Sequence, residues 1–154
     1  MNTVVSQAEE TAFVAAKIPI DRTQIASAAL LHLVELVEVL RAPDGQRTLW
    51  QLLVDAGADI EHIVYRDVPE ELLGSRDAAL QFKVDTSKLK GFLVIEDNPL
   101  DRCFRLLVQS EETGFLKTVA DRVFLKKLPE RIAALIDDGT RRWDDAVGHA
   151  ILQD

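Results

Sequence analysis

Residues 22–41, RTQIASAALLHLVELVEVLR, place apolar side chains around most of the circumference of a helix. At about 100° per residue, Gln24, Ser27, Glu35 and Glu38 fall within an arc of roughly 80°, and Leu31 interrupts even that arc. Ile25, Ala26, Ala28, Ala29, Leu30, Leu33, Val34, Leu36, Val37, Val39 and Leu40 fill most of the remaining directions. A surface helix of a small monomer hides a stripe of about 100° and shows the rest to water. This helix is therefore expected to be enclosed, by its own chain or by a second copy. Leu30, Leu33, Val37 and Leu40 are the residues expected to form an interface between copies. The entry is well marked: Asp21 can act as N-cap, Gln24 holds the capping-box position, and Ile20 and Ile25 hold the hydrophobic-staple positions.

The 154 residues are expected to form one domain, 1–154, with 47% apolar and 29% charged side chains. That balance is typical of a folded globular chain rather than a disordered one. The net charge of −8 is uneven: residues 1–85 hold 7 Lys/Arg against 14 Asp/Glu, and residues 86–154 hold 11 against 12. An acidic chain repels the phosphate backbone, which disfavours a nucleic-acid partner. Cys103 is the only cysteine, so no intrachain disulfide can form. The N-terminus lacks the basic segment and cleavage pattern of a signal peptide. Glu35 and Glu38 interrupt the best apolar run, so no membrane span is expected. The expected location is cytoplasmic.

Along the chain, residues 7–17 are weakly helical up to Pro19. Ala42-Pro43-Asp44-Gly45 reads as a turn, since proline presets φ and glycine permits positive φ. A second helix over about 48–56 carries Leu49, Leu52, Leu53 and Ala56 on one face and stops at Gly57. The period then changes. Residues 79–85 alternate strictly through Leu80, Phe82 and Val84. Residues 91–95, GFLVI, are apolar on both faces, as expected of a central strand covered on both sides. Residues 103–109 alternate through Phe104, Leu106 and Val108, and 60–67 can add a fourth strand. Short connections at 86–90 and 98–102 imply hairpins. After Gly114 the helical period returns through Phe115, Leu116, Val119, Ala120, Val123 and Phe124. A helix over 130–138 and a last one capped by Thr140 follow, the last burying Trp143, Ala146, Val147, Ala150 and Ile151. The fold class is α+β: an N-terminal helical hairpin, a central three- or four-stranded antiparallel meander, and C-terminal helices.

Candidate sites are few. His32 lies at the centre of an apolar arc, but no second ligand stands at i+3 or i+4 on that face. It reads as a structural histidine, buried and hydrogen-bonded or at a subunit interface. His62 and His149 stand without metal-ligand spacing. Cys103 lacks a CxxC or Cys–His pattern and reads as a half-buried small apolar residue. Glu96/Asp97, Asp137/Asp138 and Asp144/Asp145 are adjacent pairs that diverge on a strand or a helix and make no dyad by themselves. Residues 117–131 carry Lys117, Arg122, Lys126, Lys127 and Arg131 against Asp121 and Glu130, a basic stretch suited to an acidic partner or a solvated helix face.

FLVIEDNPLDR, residues 92–102, resembles the opening of a response-regulator receiver domain. A receiver also needs a phospho-acceptor strand followed by Ser/Thr and Lys strands, whereas the residues after Asp138 read as helix. The segment is better explained as a turn built by Asp97, Asn98 and Pro99. LLVDAGADI, residues 52–60, resembles the end of an ankyrin repeat, but a single copy cannot bury its own face. There is no GxSxG, HExxH or glycine-rich phosphate loop, and no cofactor is expected. The reading is a non-catalytic, self-associating protein-interaction module: an adaptor, a chaperone-like protein or an assembly subunit. The alternative is a small-molecule binder or enzyme with an apolar pocket between sheet and helices, its polar groups drawn from His32, Tyr65 and Asp97.

Overall fold

The computed structural model describes residues 17–69, 72, 77–98 and 100–152, with side chains up to Val147. The expected helix over 7–17 and the side chain of His149 lie outside that description. Five strands form one antiparallel sheet whose spatial order is the chain order: β1 (Val64–Arg66), β2 (Ala78–Asp85), β3 (Lys90–Asn98), β4 (Cys103–Ser110) and β5 (Leu116–Val123). Helices α1 (Ala28–Val39), α2 (Leu49–Asp55), α3 (Leu128–Ile136) and α4 (Trp143–Leu152) complete an α+β fold. The meander reaches five strands because 64–66 pairs with β2 and 116–123 pairs with β4.

Residues 116–123 were expected to be helical and are a strand. Pairing of β5 with β4 shifts register twice, between Leu106 and Leu107 and between Phe104 and Leu106. Each shift inserts an extra residue into β5, and Arg122 takes a positive φ of 54° there. The insertions break the two-residue alternation. They turn Val119, Ala120 and Val123 toward the helix-covered core at the spacing of a helix face while Leu116 faces the other side, so a bulged strand carries a helical period.

The α1 helix also starts later than its apolar run. Asp21 closes a 3-10 turn over Arg22–Gln24, accepting from the Thr23 amide, and Ile25 is extended. Ser27 is the true N-cap and accepts from the Leu30 amide at 3.1 Å. The amides of Ala26 and Ser27 donate to the Asp67 carboxylate at 2.7 and 3.0 Å, tying the helix start to the end of β1. Leu30, Leu33, Val34 and Val37 are fully buried by the chain's own core. The proposed interface residues Leu30, Leu33 and Val37 therefore lie inside the monomer, and Leu40 is half-buried at its rim. The outward direction belongs instead to Ala28, His32, Glu35 and Val39.

α2 fits its expectation closely. Thr48 and Gln51 form a reciprocal capping box, and Gly57 follows the helix with positive φ. It inserts Leu49, Trp50, Leu52 and Leu53 into the core, where the Trp50 and Phe82 rings lie 6.0 Å apart. From the sheet, Leu80, Phe82, Leu93, Ile95 and Leu106 meet this layer, and α3 adds Leu128, Ile132 and Ile136. α3 begins with Pro129 in its first turn, where no amide donor is needed.

One polar cluster fastens the helices together. Arg47 donates to Asp44 at 2.7 Å, to Asp55 at 2.8 Å and to Asp137 at 2.9 Å. The other Asp55 oxygen accepts from the amides of Arg142 and Trp143, both at 2.8 Å, and so caps the first turn of α4. Thr140 was expected to do this; it bonds to Asp138 instead. The Arg142 guanidinium donates to the carbonyls of Asp55 and Asp85. Burial works against the charge of Arg47, yet its bonds to Asp55, Asp44 and Asp137 win and hold its pKa above the ordinary value.

Asp55→Ala leaves Arg47 partly unpaired in a half-buried site and removes the α4 cap. The expected cost is about 3 kcal/mol, which lowers Tm by roughly 6 to 12 °C for a chain of this size. A thermal melt followed by circular dichroism checks it. A midpoint unchanged within a degree would show that the cluster does not fasten α4.

Candidate interaction surface

The helices cover one face of the sheet only, among the described residues. Along β3, Leu93 and Ile95 join the helix-covered core, while Phe92, Val94 and Glu96 project to the other side. On that uncovered side Val94 contacts Ala79 and Leu107 in a second, separate apolar cluster. All three are under 10% exposed, and among the described residues they form a cluster apart from the helix-covered core. Val64 and Leu116, at the two edges, are about half exposed, at 47% and 54%. Together these side chains line a shallow groove of about 210 Å³ running from β1 to β5.

A row of alternating charges borders the groove. Glu96 lies between Arg66 at 3.1 Å and Arg105 at 3.4 Å, and Arg105 reaches on to Asp121 at 3.3 Å. The row follows from register, since Arg66, Ala79, Glu96 and Arg105 are successive cross-strand partners. Each carboxylate in it faces a guanidinium, so the row can come into contact with another surface without stranding a charge. Cys103, at the end of β4, is buried, and burial raises its thiol pKa. A buried, protonated thiol is a poor nucleophile.

The three pocket candidates do not converge. His32 and Asp97 are neighbours, with Nδ1 and Oδ2 3.6 Å apart. His32 is not the buried histidine expected, because its side chain is 61% exposed on the outward arc of α1. Asp97 is the buried member, and burial raises its pKa while His32 opposes the rise. Tyr65 stands opposite Leu80 on β1 and makes no hydrogen bond to either. Between helices and sheet, Leu33, Trp50, Leu80 and Ile95 fill the space that a pocket there would need. A second groove, of about 380 Å³, lies beside the Asp55 cluster against Trp143 and Arg141. Its inner charges, Arg47 and Asp55, already bond to each other. No group of three or more His, Cys, Asp or Glu could hold a metal ion among the described residues.

Glu96 and Asp97, the pair in the segment resembling a receiver domain, project to opposite faces of β3. The turn after them is an asparagine turn: Asn98 Oδ1 accepts from the amides of Leu100 and Asp101. The chain matches no known family model, no curated protein and no solved structure. No described helix is long and apolar enough to cross a membrane. The groove residues were the part missed on the sequence. Their signal was present in GFLVI, which is apolar on both faces.

Two opposite pH dependences follow. In Asp44 the Gln46 amide and the Arg47 side chain lower the carboxyl from 3.8 to about 2. The stability it supplies is complete above the ordinary value and lost as pH falls toward 2. Asp97 has the reverse sign, because its native carboxyl takes up a proton more readily than the unfolded chain does. Its ionised form is a burden above its raised pKa, and the burden lifts as pH falls through it. Asp97→Asn is expected to raise Tm by a few degrees at neutral pH and to lose that advantage on acidification. Melts from neutral pH to pH 4 check this. A lower Tm at neutral pH would mean that the His32 contact outweighs the cost of burial.

Proposed function

We propose that this chain is a non-catalytic protein-interaction module, of the adaptor, chaperone-like or assembly-subunit kind, that self-associates through the uncovered face of its sheet. One observation carries the reading: β3 is apolar on both faces, and among the described residues helices cover only one of them. A strand buried on one face ordinarily alternates apolar and polar residues. In Val94 and Leu107 that alternation fails, and the failure is coherent across neighbouring strands.

Two copies packed sheet to sheet about a twofold axis bring each groove against its equivalent. Four strands about 4.8 Å apart and about 25 Å long, with the three-residue β1 beside them, give a footprint on the order of 500 Å² per copy. The total, on the order of 1,000 Å², reaches the lower end of specific interfaces and suits micromolar association. Arg66, Glu96, Arg105 and Asp121 then form a self-paired rim around an apolar centre.

Multi-angle light scattering at concentrations up to about 100 µM tests it, spanning the affinity expected. The expected species is a dimer of the 17.2 kDa chain. Leu107→Lys, on the uncovered face, is expected to give a folded monomer, and Val39→Asp, on the outward face of α1, is expected to leave the dimer intact. A monomer of the unaltered chain over the whole range overturns the proposal. So does a dimer that survives Leu107→Lys.

A further inference from the structure

Four of the exposed large apolar side chains among the described residues gather at one margin. Phe115 is 77% exposed, Leu116 54%, Phe124 53% and Leu125 44%, and all four flank the ends of β5. β5 is an edge strand, with β4 on one side and no strand on the other among the described residues. The same margin is basic in an otherwise acidic chain. Asp121 is held by Arg105 and Glu130 by Lys127, each at 3.3 Å. Lys117, Arg122, Lys126 and Arg131 are exposed and have no carboxylate partner among the described residues. Four cations without a carboxylate partner among the described residues thus stand among four exposed apolar side chains along β5 and the turn and helix after it, with the exposed Glu111 and Glu112 in the turn before Phe115.

We propose that this margin is a docking site for an acidic, extended segment of another protein, in which carboxylates alternate with apolar side chains. The apolar members of such a segment meet Phe124 and Leu125 at one end of β5, and Phe115 and Leu116 at the other. Its carboxylates meet Arg122, Lys126 and Lys117. A segment of roughly eight extended residues spans that length. The charge pattern favours an acidic polypeptide over the other anionic partners. A nucleic-acid strand can stack bases on Phe115 and Phe124, but it offers the aliphatic Leu116 and Leu125 no apolar side chain to pack against. A short 3-10 turn carrying Leu125 lacks the broad apolar face of a membrane-seeking helix. The site shares Leu116 with the edge of the groove but not its floor at Val94 and Leu107, and Phe124, Leu125, Arg122 and Lys126 lie outside the groove.

The probe is a fluorescein-labelled peptide in which glutamate alternates with leucine and phenylalanine, titrated with the full chain by anisotropy at low and physiological salt. Saturable binding that weakens with salt is expected, with no binding of the same peptide carrying lysine for every glutamate. The double variant Arg122→Glu/Lys126→Glu is expected to weaken binding about tenfold or more. Phe124→Ser/Leu125→Ser is expected to weaken it to a similar degree, and Leu107→Lys to leave it unchanged. Unaltered thermal melts establish that the variants fold; a variant that does not fold is replaced by Lys126→Glu alone, whose exposed site tolerates the change. No saturable binding, equal binding of the lysine peptide, or retention of affinity in the folded charge variants overturns the proposal. Preferential binding to phosphatidylserine vesicles or to polyadenylate also overturns it, and so does loss of self-association in the charge variants, which would give the margin to a second copy.

Discussion

A single carboxylate, Asp55, joins the turn before α2 to the start of α4. One of its oxygens holds Arg47, and the other accepts the first amides of α4. Arg47 in turn reaches the turn before α2 through Asp44 and the end of α3 through Asp137. The side chain is 97% shielded from water, so the bonds to it are not shared with solvent. Burying a charge this deeply is tolerated only when it is paired and hydrogen-bonded, and here Arg47 and the amides of Arg142 and Trp143 supply three donors. The helical layer is positioned over the sheet by that requirement as well as by apolar contact.

Much of the local structure could be read from residue patterns because local interactions decide it. The turn at Ala42–Gly45 forms as expected, with the Gly45 amide on the Ala42 carbonyl and positive φ at Gly45. The capping box at Thr48 and the strands at 79–85 and 103–109 likewise follow from neighbours in sequence. What failed were features that depend on remote partners. The α4 cap comes from Asp55 rather than the nearby Thr140. The start of α1 is set by Asp67, forty residues away. β5 escaped because its bulges copy a helical period. On α1 the apolar run does not say which arc faces inward; the ridge of Leu30, Leu33, Val34 and Val37 meets the sheet, and His32 is left facing out.

The candidate surface was half legible. GFLVI states that both faces of β3 are apolar, and burial of Leu93 and Ile95 under helices accounts for one of them. Which neighbours join Val94 on the other face depends on register, and register is not printed in any single strand. The row of Arg66, Glu96, Arg105 and Asp121 is a product of the same register, since its members are far apart in sequence. The interaction reading rests on this alignment and not on any motif.

The order of strands in space repeats the order along the chain, with no crossover. Every strand pair is therefore a contact between segments close in sequence, and the sheet can assemble hairpin by hairpin at little loop-closure cost. The bonds from Asp55 to the start of α4 close a loop of 87 residues, the kind of contact that forms only after much of the chain is already ordered. The sheet is expected to form from near contacts first, and α4 to dock onto it last through the remote bonds to Asp55.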